Sequence, residues 1–390
     1  MVTPSNNEAP IIYDPSTARA TSEELAPLSA ALAVTSETPW ATGPVIYTRG
    51  TVRPGGVIDL CKQGLGADGV EQILGNATQH PGIHHVLLGT NALGAEGVQS
   101  LADALQSDHG IETLYLGCNG IDGGAIRPLT QHLTADQTVT ALWLKRNPLD
   151  DDGAAHVAEA VRLNRSLRTL DIVATGLSAD GLARLRDALA ENANAPLEHL
   201  YLGANDLTAG DIELVGDLVA NAPNLVSLSV SGNPIGNDGL AALTQSLAPL
   251  ARPLKLMLSD CSLTSTSADG VAKIGTWASA LSFDQQPYWI GRKGTRGNQN
   301  ALGDSTAVAI ANTIAAGECS LETLDLSGNG LSSRAAMAVA DAVEHGDHRL
   351  QQVRLGKGIA KSARRRIKAA LPETPSPYPV ELERIRSRYR

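Results

Sequence analysis

The sequence predicts an α/β solenoid in which one short strand and one helix form a unit that is stacked about eleven times. Three observations predict it. A pattern LxxLxLxxNxL recurs along most of the chain, its copies lie mostly 28 to 30 residues apart, and each is followed by a stretch with apolar residues three and four positions apart. Strand, fixed period and one-sided helix together describe units that bury their apolar faces only against their neighbours.

Taken in order, residues 1–54 are an N-terminal extension in which SEELAPLSAALAV (22–34) predicts a helix that caps the first unit. The copies then follow: VIDLCKQGL (57–65), IHHVLLGTNAL (83–93), IETLYLGCNGI (111–121), VTALWLKRNPL (139–149), LRTLDIVATGL (167–177), LEHLYLGANDL (197–207), LVSLSVSGNPI (225–235), PLKLMLSDCSL (253–263), LETLDLSGNGL (321–331) and LQQVRLGKG (350–358). In each, LxL reads as a short strand with inward leucines. The ninth position, mostly Asn, can bond the turn backbone in a ladder from copy to copy. It falls at Gln63, Asn91, Asn119, Asn147, Thr175, Asn205, Asn233, Cys261, Asn329 and Gly358. Helices such as 94–107 and 178–192 come next, ending in turn-prone HPG (80–82), DHG (108–110) and NAP (194–196, 221–223).

One place breaks the period. Between Cys261 and Asn329 stand 68 residues where two units need about 57. A strand ALSF (280–283) is followed by DQQPYWIGRKGTRGNQ (284–299), which reads as an insertion in the loop after the strand. GIAKSARRRIKAAL (358–371) closes the far end, PETPSPYP (372–379) is an extended linker, and VELERIRSRYR (380–390) is a short basic tail. The expected divisions are therefore 1–54, 55–371 with its insertion, and 372–390.

These copies resemble the ribonuclease-inhibitor-like subclass of leucine-rich repeat proteins, which includes the repeat domains of NOD-type receptors and the GTPase-activating protein for Ran. The resemblance covers roughly residues 55–370. It implies a horseshoe with parallel strands on the concave face and helices on the convex face. It also implies that positions three, five, seven and eight of LxxLxLxxN project from the concave sheet.

Composition narrows the function classes. No apolar run approaches the roughly 18 residues that span a bilayer. The opening MVTPSNNEAPIIYDPS lacks the order of a secretory signal, so a cytoplasmic protein, or one exported without a classical signal peptide, is expected. Cys61, Cys118, Cys261 and Cys319 fall in no disulfide or zinc spacing and read as reduced thiols. Net charge is −10, but residues 349–390 hold 12 Lys or Arg against 3 Asp or Glu, leaving 19 basic and 38 acidic residues in 1–348. An acidic body with a basic end disfavours nucleic acid as a partner and favours a protein with an acidic patch.

Binding candidates follow from the expected concave face. Position five holds Leu87, Tyr115, Trp143, Tyr201 and Met257 among others, position three adds His85 and His199, and Lys145 and Arg146 flank Trp143. Exposed aromatics beside Arg are the composition of interface hot spots. The inserted loop adds Tyr288, Trp289, Arg292, Lys293 and Arg296. Catalytic and metal signatures are not found. HPGIHH (80–85) and EHGDH (344–348) read as turns rather than metal sites, DDD (150–152) as helix-start carboxylates, and GRKGTRG lacks the phosphate-loop pattern. No cofactor or metal is expected. The expected function is a non-enzymatic scaffold that holds a partner protein in the concave face, helped by the loop and the tail. Two alternatives stand beside it: a GTPase activator resembling that of Ran, and a bacterial effector delivered to a host.

Overall fold

The computed structural model describes residues 19–105, 108–250, 252–284, 299–373 and 380–389. The chain falls into two compact units, one comprising Met1–Leu197 with Tyr378–Arg390 and the other Glu198–Pro377.

The first unit opens with α1 (Ser22–Ala33). Its start is fixed by a capping box in which Thr21 Oγ1 accepts the Glu24 N–H and Glu24 Oε2 accepts the Thr21 N–H. Leu25, Leu28 and Leu32 point one way and are buried where α1 packs on α2 (Gly66–Ala77). A hairpin of β1 (Val45–Ile46) and β2 (Thr51–Arg53) pairs antiparallel with β3 (Val57–Asp59), so the first parallel strand has no open edge on that side. Then come β4 (His85–Leu87), α3 (Gly94–Ala104), β5 (Thr113–Tyr115), α4 (Gly123–Leu133), β6 (Ala141–Trp143), α5 (Asp150–Leu163), β7 (Thr169–Asp171) and α6 (Ala179–Glu191). Strands β3 to β7 are parallel neighbours, with Ile58, Val86, Leu114, Leu142 and Leu170 in one row.

The second unit repeats the scheme: β8 (His199–Tyr201), α7 (Ile212–Asn221), β9 (Ser227–Ser229), α8 (Gly236–Leu247), β10 (Lys255–Met257), α9 (Ala268–Gly275), β11 (Ala280–Ser282), α10 (Gly303–Ala315), β12 (Thr323–Asp325), α11 (Ser333–His345), β13 (Gln352–Arg354) and α12 (Lys361–Ala370). Its strands are also parallel and in chain order. The last helix, α13 (Val380–Arg384), belongs with the first unit. Both units are thus stretches of a strand–turn–helix solenoid. The inward apolar residues at the centre of β3 to β12 are buried, each side chain contributing roughly 1.5–3 kcal/mol relative to exposure, and Val353 on β13 is half-buried.

Between repeats the backbone is joined by side chains. Asn147 Oδ1 accepts the N–H groups of Asn119 (2.8 Å) and Ile121 (3.2 Å) in the preceding repeat, while its Nδ2 donates to the carbonyls of Leu116 (3.0 Å) and Leu144 (2.8 Å). Asn91 and Asn233 make the same four bonds in their own repeats. Where Asn is missing other groups stand in: the Thr175 hydroxyl donates to Ile172 O, and the buried Cys261 thiol lies 3.5 Å from Val230 O. Burial and the neighbouring Asp260 push the Cys261 thiol up to about 12, against the backbone N–H groups of Gly232 and Asn233, which lower it.

The residue before most ladder positions is left-handed. Lys62, Thr90, Cys118, Arg146, Ala174, Ala204 and Asp260 all have φ between +52° and +61°, a conformation that costs roughly 1–2 kcal/mol for a residue with a Cβ. Regular strand conformation ends there, at position eight of the unit. The ladder amide that follows fixes the turn against this strain.

A second ladder runs through the turns that lead from helix to strand. Asp136, Asn164 and Asn192 stand 28 residues apart; Asn164 Nδ2 donates to Leu133 O and Asp136 O, and Asn192 Nδ2 to Val161 O and Asn164 O. Their acceptor oxygens serve their own turns: Asp136 Oδ1 takes the N–H groups of Thr138 and Val139, and Asn164 Oδ1 those of Ser166 and Leu167. The helix starts are also tied across repeats. Asp151, in the first turn of its own helix as expected, also accepts the Ser178 N–H and hydroxyl and the Gly181 N–H of the next one, and Asp304 accepts the Ser332 N–H and hydroxyl. Gly181 is needed for this approach, since a Cβ there would stand 2.5 Å from Asp151 Oδ1 and 2.9 Å from Ala154 Cβ.

The broken period has a simple geometry. Asn300 resumes the ladder, accepting from Cys261 N–H and Leu263 N–H and donating to Leu258 O, 39 residues after Cys261 rather than 28. The extra chain therefore lies between β11 and Asn300.

Replacing Asn147 with Ala removes a buried acceptor and donor that pair four backbone groups, so unfolding free energy should fall by about 2–3 kcal/mol. Urea denaturation checks this. Asn237, whose bonds to Thr264 and Thr266 are exposed, should lose under 1 kcal/mol on the same change.

Candidate functional site

The sheet face was the expected binding surface, and its two halves differ. In the first unit all residues of β4, β5, β6 and β7 are buried. His85, Leu87, Tyr115 and Trp143 therefore do not present exposed anchors, and in the second unit Tyr201 is buried as well. For Tyr115 the cause is visible: its ring lies across the space left by Gly89 and Gly117, where added Cβ atoms would come within 2.5 Å and 2.6 Å of it. Lys145 Nζ stands 5.6 Å from the centre of the same ring, and Lys145 and Arg146 are half-buried. His199 and Met257 are also half-buried. Tyr288, Trp289, Arg292, Lys293 and Arg296 lie outside the described residues.

The basic tail, expected to meet a partner, lies on the chain's own first strands. Asp59, fully buried at position five of β3, accepts three bonds: Oδ1 from Cys61 N–H (3.3 Å) and the Ser387 hydroxyl (2.8 Å), Oδ2 from Arg388 N–H (2.9 Å). The hydroxyls of Thr51 and Tyr389 are 2.6 Å apart, Arg53 donates to Arg384 O, and Ile385 is buried. A carboxylate taken out of water needs such donors, and the tail supplies two of the three. Beside it His85 contacts the Thr113 hydroxyl through Nδ1. Burial, with the charges of Arg384, His84 and Arg53, lowers the His85 imidazole to about 4.

Among the described residues, one group could assemble a metal by proximity: His109, His132 and Asp136. No motif flagged it, because its members come from two turns and a helix. The bonding opposes ligation. His109 Nδ1 accepts the Ile111 N–H, which leaves Nε2 as the protonated nitrogen, and Nε2 donates to Asp136 Oδ2 at 3.0 Å. A metal on Nε2 would require the opposite tautomer. His132 Nε2 stands 3.5 Å from the same oxygen without hydrogen-bond geometry. Burial alone would raise the Asp136 carboxyl, but His109, His132 and the Val139 and Thr138 N–H groups outweigh it and hold the group well below the usual range. His80 and His348 use the same arrangement, each accepting the N–H two residues on and placing Nε2 on a carbonyl. These histidines build turns.

The sequence comparisons agree with this architecture. The Leucine Rich repeat family matches residues 221–243 and 318–340. The pig ribonuclease inhibitor is 27% identical over 36% of this chain and 29% of its own length. This chain is a leucine-rich repeat protein of the ribonuclease-inhibitor-like type. The human centrosomal protein of 78 kDa is 29% identical over 38% of this repeat protein and 23% of its own length. The chain thus spans less than a third of each of these curated relatives. Among solved structures, the yeast Rad7 and Elc1 complex aligns over 79% of this chain and 71% of its own with a TM-score of 0.51 at 14% identity, which shows the fold alone. No helix among the described residues is long and apolar enough to cross a membrane.

Two outcomes follow. Trp143→Ala should cost about 3–5 kcal/mol of stability, read by denaturant unfolding, because it empties a buried site; a variant as stable as the parent would restore Trp143 as a surface residue. A neutral, buried His85 also sets a pH dependence. The unfolded chain takes up its proton near pH 6.5 and the folded one only near 4, so wild-type stability should fall through that window as pH drops. His85→Gln should flatten this part of the stability profile, and parallel profiles would refute the assignment.

Proposed function

We propose that this leucine-rich repeat chain is a non-catalytic protein-interaction module, and that a partner protein lies across strands β10 to β13. The observation that carries the reading is one of accessibility. Position three of these strands holds Lys255, Ala280, Thr323 and Gln352 in register, and position five holds Met257, Ser282, Asp325 and Arg354. All but Asp325 are half-buried or exposed, whereas the corresponding rows on β4 to β7 are buried. Parallel strands set such side chains about 4.8 Å apart, giving a continuous reading surface.

Lys255 and Arg354 are exposed at the two ends of the row, and Arg354 stands 3.7 Å from Asp325. Cations on an otherwise acidic chain favour a partner with an acidic patch, as do the half-buried Lys145 and Arg146 of the first unit. The pig relative is by its name an inhibitor of another protein, and the yeast neighbour is a complex of two proteins. Both support a protein partner here. The buried Leu87, Tyr115, Trp143 and Tyr201 take no part in this reading.

The test is a double charge reversal. A partner recovered with the full-length chain and then purified should bind Lys255→Glu/Arg354→Glu at least tenfold more weakly, about 1.4 kcal/mol, with an unchanged melting temperature. Equal affinity for both proteins would remove β10 to β13 from the interface.

A further inference from the structure

We propose that Thr51, Arg53 and Asp59 form a peptide-binding site on the N-terminal repeats, and that its occupant is this chain's own segment 384–389. The site is built from two kinds of contact. The peptide main chain is held by Arg53 on the carbonyl of Arg384 and by Asp59 on the N–H of Arg388. Selectivity comes from side chains: the Ser387 hydroxyl on Asp59, the Tyr389 hydroxyl on Thr51, and the buried Ile385. Arg386 and Arg388 point to solvent, so their charge is not what the site reads.

Asp59 is suited to this by its place in the repeat. Asp171 and Asp325 occupy the same position in their own repeats, and in all three the Oδ1 atom accepts the N–H two residues on. That bond is a property of the local turn. At Asp59 it is long, and the carboxylate, fully buried, receives its two shorter bonds from the segment. Thr51 is likewise fully buried and bonds the Tyr389 hydroxyl. Two buried polar groups on β2 and β3 that draw their bonds from a segment more than 300 residues later define a receptor rather than a turn. The recognition unit is an apolar residue, then Ser two positions on, then Tyr two positions after that. Tethering raises the effective concentration of the segment, so in the resting chain the site is masked.

The experiment uses the full-length chain. Ser387→Glu sets a second carboxylate against Asp59 and Tyr389→Ala removes the hydroxyl on Thr51, so the double variant releases its own segment while leaving the receptor residues intact. A fluorescein-labelled peptide VELERIRSRYR should bind the variant at least tenfold more tightly than wild type in fluorescence anisotropy. Peptide carrying the same two substitutions should not bind. Binding to neither protein, with the variant melting as cooperatively as wild type, would overturn the proposal, as would equal binding to both. Independently of any variant, amide exchange in wild type should show Arg388 and Tyr389 protected, and unprotected amides there would also overturn it. Sedimentation of wild type should give a monomer at all concentrations. A concentration-dependent dimer dispersed by added peptide would show the segment seated in a second copy and overturn occupancy within one chain.

Discussion

Each repeat leaves backbone groups that only the adjacent repeat can satisfy, and the asparagine amide is the group that does so. A primary amide carries two donors and a two-lone-pair acceptor on one rigid plane, which lets Asn147 serve two N–H groups of the preceding repeat and one carbonyl on each side of the boundary. The left-handed residue before it would not hold its conformation in a free chain. Strand register, turn shape and helix spacing all inherit from this bond. The Asp136, Asn164 and Asn192 series adds side-chain bonds between repeats at the opposite end of the strands that follow these three turns.

The first ladder was legible in the sequence because it repeats one residue type at one phase. The second was not, because it has only three members, one Asp and two Asn, in turns where the same letters are explained by local turn preference alone. Only the bonds between repeats distinguish Asn164 and Asn192 from ordinary turn residues. HPGIHH was read as a turn, and His80 builds one. The three ligand-capable groups that do converge come from His109, His132 and Asp136, which no motif joined, and the tautomer imposed by Ile111 makes them structural.

The surface was the least legible part. Position five alternates correctly on the strand, and in a flat isolated sheet Trp143 would be exposed. Burial, however, depends on what lies over the sheet, and a one-dimensional pattern carries no information about that. Gly89 and Gly117 held a partial clue, since two glycines at position seven beside Tyr115 leave room for a ring to lie down. The basic tail misled for a similar reason. Its charge was visible, but the contacts that hold it are main-chain groups, hydroxyls and one isoleucine, none of which registers as a charge pattern.

The place where the period breaks says something about how this architecture changes over time. Asn300 closes the turn after a detour that the ladder does not sense, because the bond depends on where the amide arrives and not on how much chain preceded it. Lengthening a loop costs only about 0.6 kcal/mol per doubling, while shifting a strand or helix by one residue would misplace an entire apolar face. Insertions are therefore tolerated between strand and ladder and selected against elsewhere. That junction is where such a protein can acquire new sequence, and new specificity, without renegotiating its core.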